Sequence, residues 1–157
     1  YWTFPSQGNT AMLCWLCRFH VHRCILGMWS EVFSKMFTAQ FKEKTAEEVP
    51  LPGKKSVEIR EMLLVIYPTS TKLIGESNCS FLLDLAKEYM MTKITEKCEI
   101  YLIGRLLVIA QNYGLNRLER ECIAIAKHIQ FSELKKDNNF DKISAAYYRK
   151  IVEGMLL

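Results

Sequence analysis

Glycine is scarce in this sequence, and long apolar runs are absent. The 7 glycines are scattered along 157 residues, so no glycine-rich turn of the kind that cradles a phosphate group is formed. The longest apolar run, residues 11–17, is much shorter than the ~20 residues of a bilayer-spanning helix, and Arg18 follows it directly. No basic stretch precedes an apolar one near the start, as it would in a signal peptide. We therefore expect no phosphate-binding loop, no membrane contact and no secretion signal.

Charge of one sign is not concentrated anywhere either. The formal net charge is only +4, and basic residues alternate with acidic ones throughout. A nucleic-acid-binding domain would show a basic stripe or patch, so we expect no nucleic-acid partner. Hydrophobic residues make up 50% of the chain and charged residues 24%, a mixture that can bury a core. The length fits one ordinary domain, or a small domain with a helical appendage.

The cysteines are dispersed rather than arranged as a disulfide framework. Four of the 6 lie within apolar patterns, where a free cysteine behaves as a small buried hydrophobic residue: Cys24, Cys79, Cys98 and Cys122. Unpaired thiols suit a reducing compartment. We therefore predict an intracellular protein, of the cytoplasm or the nucleus.

One cysteine-rich stretch has the composition of a metal site. It contains Cys14 and Cys17, followed by His20 and His22. On an extended chain these side chains would point to alternating faces, and no longer loop separates two ligand pairs as in structural zinc sites. A redox role for the Cys-x-x-Cys pair is disfavoured because no βαβ pattern surrounds it. We predict neither a metal nor a cofactor.

Catalytic constellations are missing as well. His128 lies on a helix that packing otherwise explains, and no serine or cysteine near it in sequence forms a nucleophile–base pair. We therefore predict that the protein is not an enzyme.

Hydrophobic periodicity predicts an α+β chain, with a few short strands near the N-terminus followed mostly by helices. Short extended segments are predicted at residues 12–16, 19–21 and 49–52, the last one limited to an edge strand or a strand end by its prolines. Ser30 is expected to cap a helix. Further helices are predicted around residues 22–29, 57–67, 82–89, 94–102, 106–113, 115–129 and 142–153.

Several motifs, in this order, resemble the BTB/POZ family over about residues 19–103. They are Phe19-x-Val21-His22-Arg23, residues 30–37 with Ser30 and Met36-Phe37, Val49-Pro50-Leu51, residues 62–67, residues 82–89 and Cys98-Glu99. The resemblance implies the BTB/POZ fold, a small mixed sheet near the N-terminus capped by a helical cluster. Residues 104–157 are similar to part of the all-helical extension called BACK.

Residues 1–18 depart from this pattern and form an atypical N-terminal segment. The family usually opens with an acidic residue on a first strand, but no acidic residue precedes Glu31 here. The first strand is therefore expected to be missing or replaced by unrelated sequence. Because dimers of this family often use that region, the departure weakens the expectation of a homodimer.

The resemblance also implies a partner. BTB domains that bind the cullin-3 ubiquitin-ligase scaffold commonly carry a hydrophobic residue, any residue and then Glu after the Met-Phe motif. Phe41-Lys42-Glu43 stands at that place, and Tyr67 matches a position that also faces the cullin. A lone large aromatic in a polar loop is typical of a binding hot spot, although Phe41 could instead fold back onto its own core. Phe41, Glu43 and Tyr67 are the predicted contacts of the cullin-3 N-terminal domain.

Two functions follow from these observations. The first is an adaptor that recruits cullin-3 for ubiquitin transfer. The alternative is a homo-oligomerisation module of a larger regulatory or scaffold protein, which does not require Phe41 and Glu43. A degenerate copy that folds poorly is a third reading, and a cooperative thermal melt would exclude it.

Overall fold

The computed structural model describes residues 9–14, 17–38 and 46–155. The chain forms two compact units, one reaching to Thr95 and the other starting at Glu96. The division falls within a long helix. The predicted domain boundary between residues 103 and 104 stays a prediction.

Within the described residues, the sheet of the first unit has three strands, β1 (Asn9–Cys14), β2 (Cys17–His22) and β3 (Glu48–Pro50). Strand β1 is central: it pairs antiparallel with β2 and parallel with β3. Most of its described side chains are buried, and Met12 is fully buried. Strand β3 lies at an edge, where a proline costs no hydrogen bond within the sheet.

Helices follow the strands in the first unit. They are α1 (Arg23–Trp29), α2 (Glu31–Thr38), α3 (Ser56–Ile66) and α4 (Cys79–Glu88), and α5 (Thr92–Tyr113) begins in this unit. The helix predicted over residues 57–67 is present as α3, and its apolar residues at helical spacing are buried: Ile59, Met62, Leu63 and Ile66. The α+β class predicted from the sequence is therefore confirmed.

The predicted cap at Ser30 is also confirmed. The Ser30 hydroxyl oxygen accepts a hydrogen bond from the backbone N–H of Phe33 at 3.0 Å, which satisfies one of the free N–H groups at the start of α2. The same hydroxyl donates to the backbone carbonyl of Tyr89 at 2.5 Å. This buried side chain thus ties the start of α2 to the end of α4.

The second unit is helical throughout its described residues. It contains the rest of α5, then α6 (Asn116–Ala126), α7 (Phe131–Leu134), a 3₁₀ turn (Phe140–Lys142) and α8 (Ala145–Met155). Its core consists of Ile103, Leu107, Cys122, Ala126, Leu134, Phe140, Ile143 and Ile151. A buried carboxylate, Glu119, joins α6 to α8 by an ion pair with Lys150 at 2.6 Å.

Some expectations are wrong in the helical region. The two helices predicted at 94–102 and 106–113 are one continuous helix, α5, because residues 103–105 contain no residue that ends a helix beyond the tolerated Gly104. Leu115 and Ile125, two apolar residues of the helix predicted over 115–129, are 43% and 53% exposed. Helix α6 also ends at Ala126, earlier than the predicted residue 129.

Of the two alternatives expected for the first strand, its absence is wrong, whereas its replacement by unrelated sequence stays a prediction. Strand β1 is present, and six residues of it pair with β2. An acidic residue is not needed for this, because the strand is held by backbone hydrogen bonds and by burial of Ala11 and Met12. Cys24 was expected to be buried but is exposed, unlike Cys79, Cys98 and Cys122. None of the helices described here is both long and apolar enough to span a bilayer.

Candidate partner-binding site

Of the three predicted contact residues, Tyr67 lies within the part of the chain that the structure describes. Phe41 and Glu43 belong to segment 39–45, which lies outside the described residues. Tyr67 follows the last residue of α3, as its C-cap, and is partly buried. The site can therefore be built from Tyr67 and from the residues that hold the two ends of segment 39–45.

The hydroxyl of Tyr67 is held by His22, the last residue of β2. It accepts a hydrogen bond from the backbone N–H of His22 at 2.9 Å, and it lies 3.2 Å from the Nδ1 atom of the same residue. The two rings are tilted by 51° with centroids 5.9 Å apart. Burial raises the pKa of Tyr67, so its hydroxyl stays protonated at neutral pH. Tyr67 is thus fixed in orientation, and the part of its ring that stays accessible is available to a partner.

The next residue, Arg23, contacts Phe37 and Ala46, which lie on either side of segment 39–45 in the sequence. Its guanidinium donates a hydrogen bond to the backbone carbonyl of Ala46, directly after the segment. Its Cζ atom also lies over the ring of Phe37, near the end of α2, at 5.5 Å from the ring centroid. Thr10 supports the same end, because its hydroxyl lies 3.2 Å from the Ala46 carbonyl oxygen. His22 and Arg23 therefore connect Tyr67 with Ala46, the residue directly after the segment that carries Phe41 and Glu43.

Phe37, the ring that Arg23 contacts, belongs to a column of three stacked rings, Phe37, Phe33 and Tyr89. The ring of Phe33 is fully buried and stacks on Tyr89 at 4.8 Å and on Phe37 at 6.0 Å, with interplanar angles of 9° and 12°. Lys54 lies over the outer face of Tyr89 and pairs with Glu88. Burial first, and the nearby Glu88 carboxylate second, raise the pKa of Tyr89 to about 12. The column anchors α2 on the core and so gives Arg23 a fixed ring to contact.

A second surface feature lies elsewhere on the first unit. An open cavity of about 310 Å³ is lined by residues of α1, α2 and the start of α5. Two methionines at its edge are strongly exposed, Met28 by 69% and Met90 by 50%. Lys93 lies over the ring of Trp29 at 5.6 Å. Exposed methionines beside a cavity are typical of a contact surface, because their side chains adapt to different partners.

The cysteine-rich stretch is not assembled as a metal site. Within the part of the chain that the structure describes, no three His, Cys, Asp or Glu side chains come together as metal ligands. The hairpin formed by β1 and β2 instead places Cys14 opposite Cys17. The expectation that these two side chains point to alternating faces is therefore wrong, because it assumed one extended chain.

Sequence reasoning did not assign a role to Arg23 or to the aromatic column. Arg23 was recognised only as part of the strand-to-helix motif, and its two contacts are with residues 14 and 23 positions later in the chain. Phe33 and Phe37 are four residues apart in the motif at residues 30–37, a spacing at which apolar residues form a stripe on a helix. The stripe predicts that both rings lie on one face of α2, which is the signal that could have indicated their stacking.

Comparison with known proteins agrees with this fold. A family model described as BTB/POZ domain matches residues 12–106. BTB and MATH domain-containing protein 36 of Caenorhabditis elegans is 30% identical over 162 residues, covering 97% of this chain and 50% of that protein. Kelch repeat and BTB domain-containing protein 3 of Homo sapiens is 26% identical over 141 residues, covering 85% of this chain and 23% of that protein. Kelch-like protein 23 of Mus musculus is 30% identical over 134 residues, covering 80% and 24%.

The chain thus spans half the length of the first of these relatives and about a quarter of the two kelch proteins. The match of the family model covers more than half of the chain, and it includes β2, the aromatic column and Tyr67. The sheet, the helical cluster and these matches lead to one assignment: the chain belongs to the BTB/POZ family, whose domains are protein-interaction modules.

Proposed function

We propose that this protein is a cullin-3 adaptor, in which segment 39–45 and Tyr67 bind the cullin-3 N-terminal domain. The observation that carries the proposal is the position of His22-Arg23. His22 holds the hydroxyl of Tyr67, and Arg23 holds the carbonyl of Ala46. Tyr67 and Ala46, the residue directly after the segment, are therefore bound by two adjacent residues, which supports a single partner that contacts Tyr67 and the segment together.

The chemistry of the predicted contacts suits a protein partner. An aromatic anchor such as Phe41 gains affinity when a partner pocket removes it from water, and charged neighbours such as Lys42 and Glu43 form a polar rim. The proposed role is binding and does not include catalysis. Two kinds of relative support an adaptor: the kelch proteins and the BTB and MATH domain-containing proteins each combine this domain with another named module. We further propose that residues 104–157 are part of a BACK-like extension.

The test is the affinity of the whole chain for the purified cullin-3 N-terminal domain, measured by isothermal titration calorimetry. Replacing Phe41 by Ala is expected to cost about 2–4 kcal/mol, a loss of roughly 30- to 1,000-fold in affinity. The control is Met28→Lys, which changes an exposed side chain at the separate cavity. It is expected to leave the affinity for cullin-3 unchanged. Absence of binding by the unmodified chain would refute the proposal.

The second candidate function is self-association. It is favoured by the presence of β1, whose expected absence had been the reason to doubt a homodimer. The exposed Met28 and Met90 at the edge of the cavity are available for such a contact. Light scattering at several concentrations measures the oligomeric state. A dimer that Met28→Lys dissociates, together with no cullin-3 affinity, would favour a pure homo-oligomerisation module.

A further inference from the structure

The hairpin at the N-terminal side of the sheet brings two thiols face to face. Cys14 is the last residue of β1 and Cys17 is the first residue of β2, and the two are register partners in the antiparallel ladder. Side chains of directly opposed residues lie on the same face of a sheet. Only two residues separate the cysteines along the chain, so their approach is built into the hairpin.

The hydrogen-bonding direction of β1 decides what kind of pair they form. The backbone groups of Ala11 and Leu13 bond towards the β3 side: the N–H of Ala11 donates to Glu47, and the carbonyl of Leu13 accepts from Leu51. Backbone groups alternate in direction along a strand, so those of Cys14 face β2. The two cysteines are therefore a hydrogen-bonded pair, for which the Cα atoms are about 5.5 Å apart. Disulfides span Cα distances of about 4.4–6.8 Å, with a mode near this value.

The two thiols differ in accessibility. Cys17 is exposed, whereas Cys14 is fully buried. Burial first, and the nearby Cys17 second, raise the pKa of Cys14, which keeps it protonated at neutral pH. An oxidant from solution therefore reacts first with Cys17, and Cys14 can act only on a sulfur that is brought to it. An accessible cysteine next to a second, resolving cysteine is the arrangement often found at redox-sensitive thiols.

We propose that Cys14 and Cys17 form a reversible cross-strand disulfide, with a low-molecular-weight disulfide such as oxidised glutathione as the oxidant. The thiolate of Cys17 attacks one sulfur of oxidised glutathione, the glutathione S–S bond breaks, and one glutathione thiolate leaves. Cys14 then loses its proton and attacks the sulfur of Cys17, which expels the second glutathione thiolate. The two cysteine thiols are oxidised, one molecule of oxidised glutathione is reduced to two of glutathione, and the two thiol protons end on the released thiolates.

The consequence is a covalent link at one end of the central strand. Among the strands that the structure describes, β1 is central and pairs with both others, so the link joins β2 to the central strand. The ring is short, and the two residues are already opposed in the ladder. The proposal is independent of cullin-3 binding.

The experiment treats the folded full chain with oxidised glutathione, quenches it with acid, and alkylates the denatured protein before trypsin digestion and mass spectrometry. Residues 1–17 contain no Lys or Arg, so one tryptic peptide ending at Arg18 carries both cysteines. Cys24 lies on a separate peptide that begins after Arg23. The expected product is a peptide 1–18 that has lost two hydrogen atoms, carries no alkyl group, and regains both alkylation sites after dithiothreitol.

Two variants separate the proposed pair from its alternatives. In Cys14→Ser the glutathione is expected to stay on Cys17, because the resolving thiol is gone. Cys24→Ser removes the other exposed thiol, which has no register partner in the hairpin, and is expected to leave the disulfide unchanged. The proposal is overturned if the unmodified chain keeps glutathione on Cys17, pairs Cys17 with Cys24, or resists oxidation. Circular dichroism of each variant verifies that it is folded.

Discussion

Replacing Arg23 is the most direct test of how the residues on either side of segment 39–45 are held. Its guanidinium donates to the carbonyl of Ala46 and lies 5.5 Å from the ring centroid of Phe37, so it contacts both sides of segment 39–45. In Arg23→Ala both contacts are lost while the fold of α1 is retained, because Ala is the best helix former. We expect the free energy of unfolding of the first unit to fall, and Ala46, directly after the segment, to lose its hydrogen bond from Arg23.

The magnitude follows from the two contacts. A hydrogen bond from a charged donor contributes about 1.5–3 kcal/mol, and a cation–π contact at a partly exposed site contributes about 0.5–1 kcal/mol. The expected loss in the free energy of unfolding is therefore about 2–4 kcal/mol. Arg23→Lys keeps the charge but not the planar group, so we expect it to recover only part of the loss.

The assay is urea unfolding followed by tryptophan fluorescence. All 3 tryptophans of the sequence precede Glu96, and Trp29 lies in α1 together with Arg23, so the signal reports on the first unit. A double-mutant cycle with Phe37→Leu isolates the cation–π contact, with an expected coupling of about 0.5–1 kcal/mol. The affinity for cullin-3 should fall in Arg23→Ala as well. Unchanged urea midpoints together with zero coupling would show that the two contacts of Arg23 do not stabilise the first unit.

Two further predictions concern the second unit. In Gly104→Ala the added Cβ atom would lie 3.0 Å from the Cβ atom of Asn139 and 3.1 Å from Cε2 of Phe140. We expect a net loss of about 1–2 kcal/mol, because the crowding outweighs the roughly 1 kcal/mol that Ala gains in a helix, and urea unfolding followed by circular dichroism measures it. An increase in stability would exclude this close packing. The second prediction is a pH dependence: the hydrogen bond from Lys150 holds the pKa of Glu119 below its ordinary 4.5. This contribution to stability is present above pH 4.5 and is lost as the pH falls through the lowered pKa, so Glu119→Gln should flatten the acid side of a stability–pH profile, and an unchanged profile would contradict it.

Local patterns predicted most of the helices correctly, since their causes lie within a few residues. The stripe of α3 and the cap at Ser30 depend on spacings of three and four residues, and both are present in the structure. The strand β1 was harder to predict. Strand β1 pairs with β2 as a hairpin, without the acidic residue that the family usually has on its first strand. Its pairing with β3 joins residues far apart in the chain.

The candidate site was predictable only in part. Tyr67 was identified through the resemblance to BTB/POZ domains, and its C-cap position and its partial burial agree with a residue at the edge of a surface. That His22 fixes its hydroxyl could not be predicted, because 45 residues separate the two. The roles of Phe41 and Glu43 remain predictions. Cys24 was misplaced because an apolar sequence neighbourhood does not show which face of a short helix is covered.

The sequence by itself determined the family, the α+β class and the position of most helices, because motif order and hydrophobic period are local properties. Only the tertiary structure decided that Cys14 opposes Cys17, that Arg23 contacts both sides of segment 39–45, and that Glu119 pairs with Lys150. Each of these contacts depends on where the chain reverses and on which elements then pack together. Burial and hydrogen bonding across many elements select that arrangement collectively, so no single stretch of sequence contains it.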